Sequence, residues 1–212
     1  MTTKQEDHSL RAELPTEPFG VLARWLEEVR GSGVPNPDAM CLATVTADGA
    51  PRARMVLCRS LDIAAGWIGF YTNRHSAKAH EIAGNAQATG VFHWETPFQR
   101  QAIVSGRVEL APDDDSDAYW ATRPRLSQLS AWASEQSRPV ASRALLMSQL
   151  TTMTRRFGET EADGPIPRPS HWGGYRIVAS RVELWVGSAG RLHDRAVYVR
   201  SGHGWTSMRL QP

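Results

Sequence analysis

The chain has 212 residues, 41% of them hydrophobic, and is long enough to bury the core of one ordinary domain. Its 24 lysines and arginines nearly balance 22 aspartates and glutamates, and the net charge of +2 argues against a nucleic-acid partner held by bulk electrostatics. Any cationic site must therefore be local.

The cysteine content and the absence of long apolar runs indicate the compartment. Cys41 and Cys58 form neither a CxxC pair nor a disulfide framework, which favours a reducing environment. No run of about 18 apolar residues predicts a membrane span. The polar start of the chain lacks the apolar core of a signal peptide. We therefore expect a cytoplasmic protein with no membrane partner.

The N-terminal third is predicted to contain an arm, a helix and a hairpin. Residues 1–15 are polar and patternless and are expected to form a mobile arm, with residues 16–212 as a single domain. Apolar residues recur at helical spacing from Phe19 to Val29 and predict a helix stopped by Gly31. Two strand-like runs, residues 40–45 and 53–59, flank Asp48-Gly49 and predict a hairpin.

Two arginines of this hairpin, Arg54 and Arg59, lie five residues apart. On an unbroken strand they would face opposite sides of the sheet. A bulge or a strand end is therefore needed if both are to reach one site.

A possible anion site follows the next predicted strand, residues 67–72, where a short helix through Ile82 begins. Free N–H groups of the first helical turn, a hydroxyl of Thr72 or Ser76, and Lys78 can converge on a phosphate. A capped surface helix with a solvated lysine explains the same residues equally well.

The rest of the chain alternates between strands and helices. Strands are predicted at residues 88–94 and 99–110, and helices at about 113–121, 126–137 and 140–157; residues 113–115 form an acidic helix start rather than a metal site. β structure returns from Trp172 to Trp205. We therefore expect a mainly β, α+β protein: one antiparallel barrel whose last strands close with the first.

Residues 191–195 of the tail carry two arginines and a histidine. If this run is a strand, Arg191, His193 and Arg195 share one face, suited to a flat anionic ligand. A polar hairpin in water is the alternative, and these five residues alone favour it.

Common catalytic motifs are missing from the chain. There is no dinucleotide-binding glycine motif, no P-loop, no nucleophile elbow and no HExxH zinc motif. Several ordered segments together nevertheless resemble the pyridoxamine 5'-phosphate oxidase family. They are Arg54-Met55-Val56-Leu57, Phe70-Tyr71-Thr72-Asn73 with Ser76 and Lys78, Arg100-Gln101, Arg123-Pro124-Arg125 with Ser127-Gln128, residues 131–137, Trp172-Gly173-Gly174-Tyr175-Arg176, and residues 191–195.

The resemblance implies a fold, a cofactor and two sets of binding residues. The fold is an FMN-binding antiparallel split β-barrel with flanking helices. The residues implied to bind FMN are Arg54, Tyr71, Thr72, Ser76, Lys78, Gln101, Gln136, Ser137, Trp185 and Arg195. Those implied to bind the substrate are Arg59, Tyr119, Arg123, Ser127, Arg191 and His193, the last two also being the catalytic pair.

The implied reaction is oxidation of pyridoxamine or pyridoxine 5'-phosphate to pyridoxal 5'-phosphate, with hydride transfer to FMN and reduction of O2 to hydrogen peroxide. The resemblance also implies a homodimer with FMN at its interface. A related FMN-dependent oxidase acting on another aromatic substrate, as in phenazine biosynthesis, and a flavin-binding protein without turnover are the alternatives.

Two positions depart from the family pattern. Arg59 stands where a lysine is usual on the substrate phosphate, which keeps the charge but changes its shape. Ala77 stands where an arginine is usual in the FMN phosphate site. FMN affinity is therefore expected to be weaker unless another residue, with Arg74 the first candidate, supplies the missing charge.

Overall fold

The computed structural model describes Leu10 and residues 13–212. Most of the predicted N-terminal arm lies outside these residues. Leu10 itself is fully buried, and its carbonyl accepts a hydrogen bond from Arg209.

The predicted first helix is confirmed as α1, Phe19–Gly31. Its apolar face, which includes Trp25 and Leu26, is buried against the sheet. The Glu17 carboxylate accepts hydrogen bonds from the first free backbone N–H groups, those of Phe19 and Gly20, and so caps the helix.

The remaining described chain forms nine strands and four further α-helices. The strands are β1 (Ala39–Val45), β2 (Pro51–Leu57), β3 (Ser60–Asp62), β4 (Trp67–Asn73), β5 (Gln87–Trp94), β6 (Arg100–Leu110), β7 (Trp172–Val186), β8 (Asp194–Ser201) and β9 (Gly204–Leu210). The helices are α2 (Ala77–Gly84), α3 (Asp113–Ala121), α4 (Arg125–Ala133) and α5 (Arg143–Phe157).

All strand pairs are antiparallel, in the order β2-β1-β5-β6-β7-β4-β3. The 15-residue strand β7 divides the sheet, because one of its edges pairs first with β4 and then with β8. Strand β9 continues the sheet beyond β8. The result is the split barrel implied by the resemblance.

A bulge shapes the long β6–β7 pair, where the register shifts between Ser105 and Gly106. A Cβ atom at Gly106 would lie 2.0 Å from the carbonyl oxygen of Val178. Glycine is therefore required where the two backbones approach most closely.

One prediction about the strands is wrong, and the conditional strand at residues 191–195 forms only in part. The last strands do not close the barrel: within the described residues β9 pairs only with β8 and β2 only with β1, because the β8–β9 hairpin extends from the far half of β7. Residues 191–193 are not strand either. Gly190 and Arg191 have φ of 69° and 63°, which breaks the extended chain, and β8 begins only at Asp194.

The sheet and α1 enclose the main core, and a smaller apolar cluster lies under α3 and α4. This second cluster contains Trp120, Leu129, Ile166 and Trp172. No helix in the described part of the chain is both long and apolar enough to cross a membrane.

Candidate active site

A cavity of about 680 Å³ opens between β2, β4, α2 and the segment that joins α3 to α4. It brings together ten of the predicted site residues: Arg54, Arg59, Tyr71, Thr72, Lys78, Tyr119, Arg123, Ser127, Gln136 and Ser137. A strand end between Arg54 and Arg59 was needed if both were to reach one site. Strand β2 does end between them, at Leu57, and both arginines line the same cavity.

Lys78 lies in the wall of the cavity and is only 8% exposed. Its Nζ donates to Thr72 Oγ1 at 3.0 Å, Ser76 Oγ at 3.2 Å and Gln136 Oε1 at 2.9 Å. None of these acceptors carries a charge. Burial, with a smaller effect of the charge on Arg54, lowers the pKa of Lys78 to about 8. The buried Ser76 does not line the cavity itself but orients Lys78.

The two arginines of β2 are each paired with a carboxylate. Arg54 donates to Glu81 Oε2 at 2.6 Å, and Arg59 donates to Asp38 Oδ2 at 3.1 Å. Their charges are thus partly balanced inside the protein.

Arg74 does not replace the charge missing at Ala77. Its guanidinium pairs with Asp113 at 3.2 Å and packs against Gly173, and it does not line the cavity. Ala77 itself, the first residue of α2, does line the cavity.

Arg123 is held by aromatic rings rather than by a carboxylate. Its guanidinium carbon lies 4.8 Å from the ring centroid of Trp172 and 5.7 Å from that of Trp120. Its Nη2 donates to the Ser127 carbonyl at 3.0 Å, while its buried Nε has no partner among the described residues. Burial lowers the pKa of Arg123, against a smaller opposing effect of Tyr119, but the guanidinium remains charged.

Tyr119 and Tyr71 stack beside this arginine, with ring centroids 4.2 Å apart. Tyr71 also stacks on Trp172 at 5.4 Å. The cavity therefore combines a flat aromatic wall with cations, which suits a ligand that has both a ring and a phosphate.

Gln136 and Ser137 come from the segment that follows α4. The side chain of Gln136 accepts hydrogen bonds from Thr72 at 2.9 Å and from Lys78, which fastens this segment over β4. Ser137 lines the cavity with φ of 73°, a conformation uncommon for residues other than glycine.

The remaining predicted residues form a second cluster outside the cavity. Gln101, Trp185 and Arg195 are register partners across β6, β7 and β8, and the His193 ring lies 4.8 Å from that of Trp185. None of them lines the cavity, nor does Arg191. One protomer thus carries the predicted residues in two separate groups.

Arg195 is anchored by a buried carboxylate, Glu183, which is 6% exposed. Their side chains meet at 2.6 Å, and Arg181 contacts the same carboxylate at 2.8 Å. Burial raises the pKa of Glu183, but hydrogen bonds from the two arginines outweigh it and hold this pKa below its usual value. Glu183 therefore stays ionised and fixes Arg195.

His193 has one ring nitrogen already occupied. The backbone N–H of Ser188 donates to its Nδ1 at 3.2 Å. The neutral ring therefore carries its proton on Nε2, which remains available as a donor. Arg191 is exposed at the end of a short 3-10 turn.

The sequence did not indicate three supporting roles: Glu81 as the partner of Arg54, Asp38 as the partner of Arg59, and Trp172 as the platform for Arg123. The position of Glu81 three residues after Lys78 on a predicted helix was the one available signal. Asp38 and Trp172 act across long sequence separations, so no local pattern reveals them.

The donors of the cavity fit a phosphorylated cofactor such as FMN. Among the described residues, Lys78 and Arg123 line it without a carboxylate partner. The Thr72 hydroxyl accepts from Lys78, and Ser127 lines the cavity next to Arg123. A bound anion would accept a hydrogen bond from the unpartnered Nε of Arg123 and would neutralise the buried ammonium of Lys78. The volume lies within the usual range for cofactor sites.

Comparison with known proteins agrees with these features. Residues 26–155 match the family described as "Pyridoxamine 5'-phosphate oxidase", and residues 172–212 match the "Pyridoxine 5'-phosphate oxidase C-terminal dimerisation region". The chain is 45% identical to a pyridoxine/pyridoxamine 5'-phosphate oxidase of Rubrobacter xylanophilus over 196 residues, covering 92% of this chain and 87% of that protein. It is 46% identical to the protein of the same name from Azorhizobium caulinodans over 198 residues, covering 92% and 90%.

Solved structures show the same fold. PhzG from Burkholderia lata, in complex with tetrahydrophenazine-1-carboxylic acid, has a TM-score of 0.83 and 31% identity over 93% of this chain and 94% of that one. An FMN-binding protein of Nostoc punctiforme, related to pyridoxamine 5'-phosphate oxidase, has a TM-score of 0.72 at 18% identity over 91% of this chain and 96% of that one. The chain therefore belongs to the pyridoxamine 5'-phosphate oxidase family of FMN-dependent oxidoreductases.

Proposed function

We propose that this protein oxidises pyridoxamine or pyridoxine 5'-phosphate to pyridoxal 5'-phosphate, with O2 reduced to hydrogen peroxide. The observation that carries the proposal is the pair of uncompensated cations in the cavity. Lys78 and Arg123 come from different elements: Lys78 donates to the Thr72 hydroxyl, and Arg123 donates to the backbone carbonyl of Ser127, which also lines the cavity. Two such centres suit a reaction in which cofactor and substrate each bring a phosphate.

One centre would hold the phosphate of FMN. Its members are Lys78, Thr72 and Arg54, with Ser76 and Gln136 fixing the ammonium of Lys78. Ser137 and Tyr71 complete this side of the cavity. Bound FMN supplies the two-electron acceptor for the oxidation.

The other centre would hold the substrate phosphate. Arg123, Tyr119 and Ser127 line it, and Arg59 enters from the end of β2. Anchoring the phosphate fixes the rest of the substrate in one orientation, and such positioning lowers the barrier to reaction.

The second cluster would complete the site from the other protomer of a homodimer. Gln101, Trp185 and Arg195 would contact FMN, while Arg191 and the Nε2–H of His193 would hold the substrate ring and its oxygen. Their absence from the cavity of their own chain and the match of residues 172–212 to a dimerisation region support this arrangement.

Oxygen consumption and peroxide release, measured with added FMN and each phosphorylated vitamer, test the proposal. We expect turnover with at least one vitamer and release of one peroxide for each pyridoxal 5'-phosphate formed. A protein that binds FMN but consumes no oxygen with either vitamer would overturn the assignment.

A phenazine-type oxidase is the second candidate function, favoured by the 31% identity to PhzG. A neighbouring cavity of about 480 Å³ shares Arg123, Ser127 and Gln136 with the first and offers room for a larger ring system. The phosphate-binding group at Arg123 argues against it, because an unphosphorylated substrate does not require that group. Faster turnover with tetrahydrophenazine-1-carboxylic acid than with either vitamer would make the phenazine-type oxidase the better assignment.

A further inference from the structure

Glu81 is a carboxylate placed next to a site that is built for anions. It lies on α2, three residues after Lys78, and its side chain is 11% exposed. Its Oε2 accepts hydrogen bonds from Arg54 Nη2 at 2.6 Å and from the hydroxyl of Thr44. The negative charge of Glu81 repels a bound anion and, acting alone, would weaken anion binding.

The contacts of Arg54 indicate a second, favourable effect of Glu81. Arg54 belongs to β2, an edge strand that pairs only with β1 in the described structure, and its neighbours Ala53 and Met55 are exposed. A long side chain on such a strand has many rotamers available. Its guanidinium is instead held at both ends, because Nη1 contacts Thr44 and Leu42 of β1 while Nη2 contacts Glu81 of α2.

Glu81 is itself held firmly. Thr44, its second partner, is 1% exposed. Burial raises the pKa of Glu81, but hydrogen bonds from Thr44 and Arg54 outweigh this effect and lower that pKa. The carboxylate therefore stays ionised and keeps Arg54 in one orientation.

We propose that Glu81 is a positioning residue for the cofactor phosphate: it fixes Arg54 in the cavity wall so that the guanidinium is preorganised beside Lys78. The inference rests on the proposed role of this cavity in holding the phosphate of FMN. Preorganisation strengthens binding because the ligand does not have to order the side chain.

Two other roles for Glu81 make different predictions. If its charge acts only through space, its removal leaves the site more positive and FMN binds more tightly. If it only supports the fold, its removal weakens binding of any flavin. A positioning role weakens binding of the phosphorylated flavin alone.

The test compares the dissociation constants of FMN and riboflavin, read from flavin fluorescence, in Glu81→Ala and Glu81→Gln. We expect FMN affinity to fall about tenfold in Glu81→Ala and less in Glu81→Gln, which keeps an acceptor for Arg54. Riboflavin, which lacks the phosphate, should bind as it does to the wild type. Glu81→Gln keeps the side-chain volume and serves alone if the alanine variant does not fold.

A double-mutant cycle with Arg54→Met identifies the path of the effect. If Glu81 acts through Arg54, Glu81→Gln changes FMN affinity in the wild type but not in the Arg54→Met background. The control Asp117→Ala breaks an ion pair with Arg168 that does not line the cavity, and should leave both constants unchanged.

The outcomes separate this inference from the proposed function. Tighter FMN binding in Glu81→Gln, an equal loss for both flavins, or a loss that persists without Arg54 would overturn the positioning role. A wild-type protein that binds riboflavin as tightly as FMN would instead overturn the phosphate site itself.

Discussion

Lys78 is a buried ammonium whose three hydrogen-bond acceptors are all uncharged. Its pKa of about 8 means that it loses its proton within an accessible pH range. A bound phosphate dianion favours the charged form and raises this pKa, so FMN binding takes up a proton at higher pH. We predict that FMN affinity falls as pH rises above about 8, approaching tenfold per pH unit.

The measurement is the FMN dissociation constant from about pH 7, where the phosphate is a dianion, to about pH 9.5. Lys78→Arg is the matched control, because its guanidinium stays protonated and its profile should be flat. The raised pKa of Tyr71 keeps that phenol neutral over this range. Parallel profiles for the wild type and the arginine variant would contradict the role of Lys78.

Ala77 leaves room for one more charge at the start of α2. Arg74, the candidate to replace the arginine of the family pattern, is paired with Asp113 and does not line the cavity. We predict that Ala77→Arg tightens FMN binding by about tenfold or more, the value of one charged hydrogen bond of about 1.5 to 3 kcal/mol. Fluorescence titration measures it.

Ala77→Gln adds length without charge and serves as the control for this substitution. It should leave the FMN dissociation constant within about threefold of the wild type, since neutral hydrogen bonds contribute less. Equal effects of arginine and glutamine would show that charge at this position does not matter.

At the scale of elements, Arg125 ties α4 to the end of α5. Its guanidinium donates to the carbonyls of Gly164 at 2.7 Å, Gly158 at 3.2 Å and Phe157, and the residue is 7% exposed. We predict that Arg125→Met lowers the free energy of unfolding by about 3 kcal/mol, because buried carbonyls lose a charged donor. Urea unfolding at fixed protomer concentration measures this loss.

Glu161 provides the control for Arg125. It lies 4.0 Å from the same guanidinium but its side chain is 84% exposed, so Glu161→Gln should change stability by less than about 0.5 kcal/mol. A similar effect of both variants would mean that the carbonyl contacts contribute little.

The elements also show how far sequence patterns reach. Periodicity located α1 and the β1–β2 hairpin because their signals are local. It missed β3, which has only three residues, and it left open whether residues 191–193 are strand or turn. A left-handed turn at Gly190 and Arg191 keeps these residues out of β8. Whether the first and last strands pair with each other leaves no local signal in the sequence. The closure of the barrel was therefore predicted wrongly.

In the candidate site, too, the sequence identified residues but not their long-range contacts. The resemblance named the residues of both the cavity and the second cluster, but not which of them meet in one protomer. The partners that set their charges, such as Glu81 for Arg54 across 27 residues, depend on the packing of α2 against the sheet. Such pairs became evident only from the structure.

For the whole molecule, the main consequence of the fold is that the predicted site is divided. β2, β4, α2 and the α3–α4 segment build the cavity, while β6, β7 and β8 carry the second cluster. If two protomers exchange these halves, each site contains the cavity of one chain and the second cluster of the other. A homodimer then has two equivalent sites related by its twofold axis.

This arrangement predicts complementation between inactive variants. Arg123→Ala damages the cavity and Arg191→Ala damages the second cluster, so each homodimer should have little activity. Random assortment of equal amounts makes roughly half of the dimers mixed, and each mixed dimer has one site with both substitutions and one with neither. Coexpression should therefore restore about a quarter of wild-type peroxide production.

The control is the pair Arg191→Ala and His193→Ala, which both belong to the second cluster. Every site of their mixed dimers carries one substitution, so coexpression should restore nothing. If each chain instead built its site from its own cavity and its own cluster, Arg123→Ala with Arg191→Ala would fail in the same way, because no protomer would be intact. Recovery in the first pair alone is thus the result that a site shared between protomers requires.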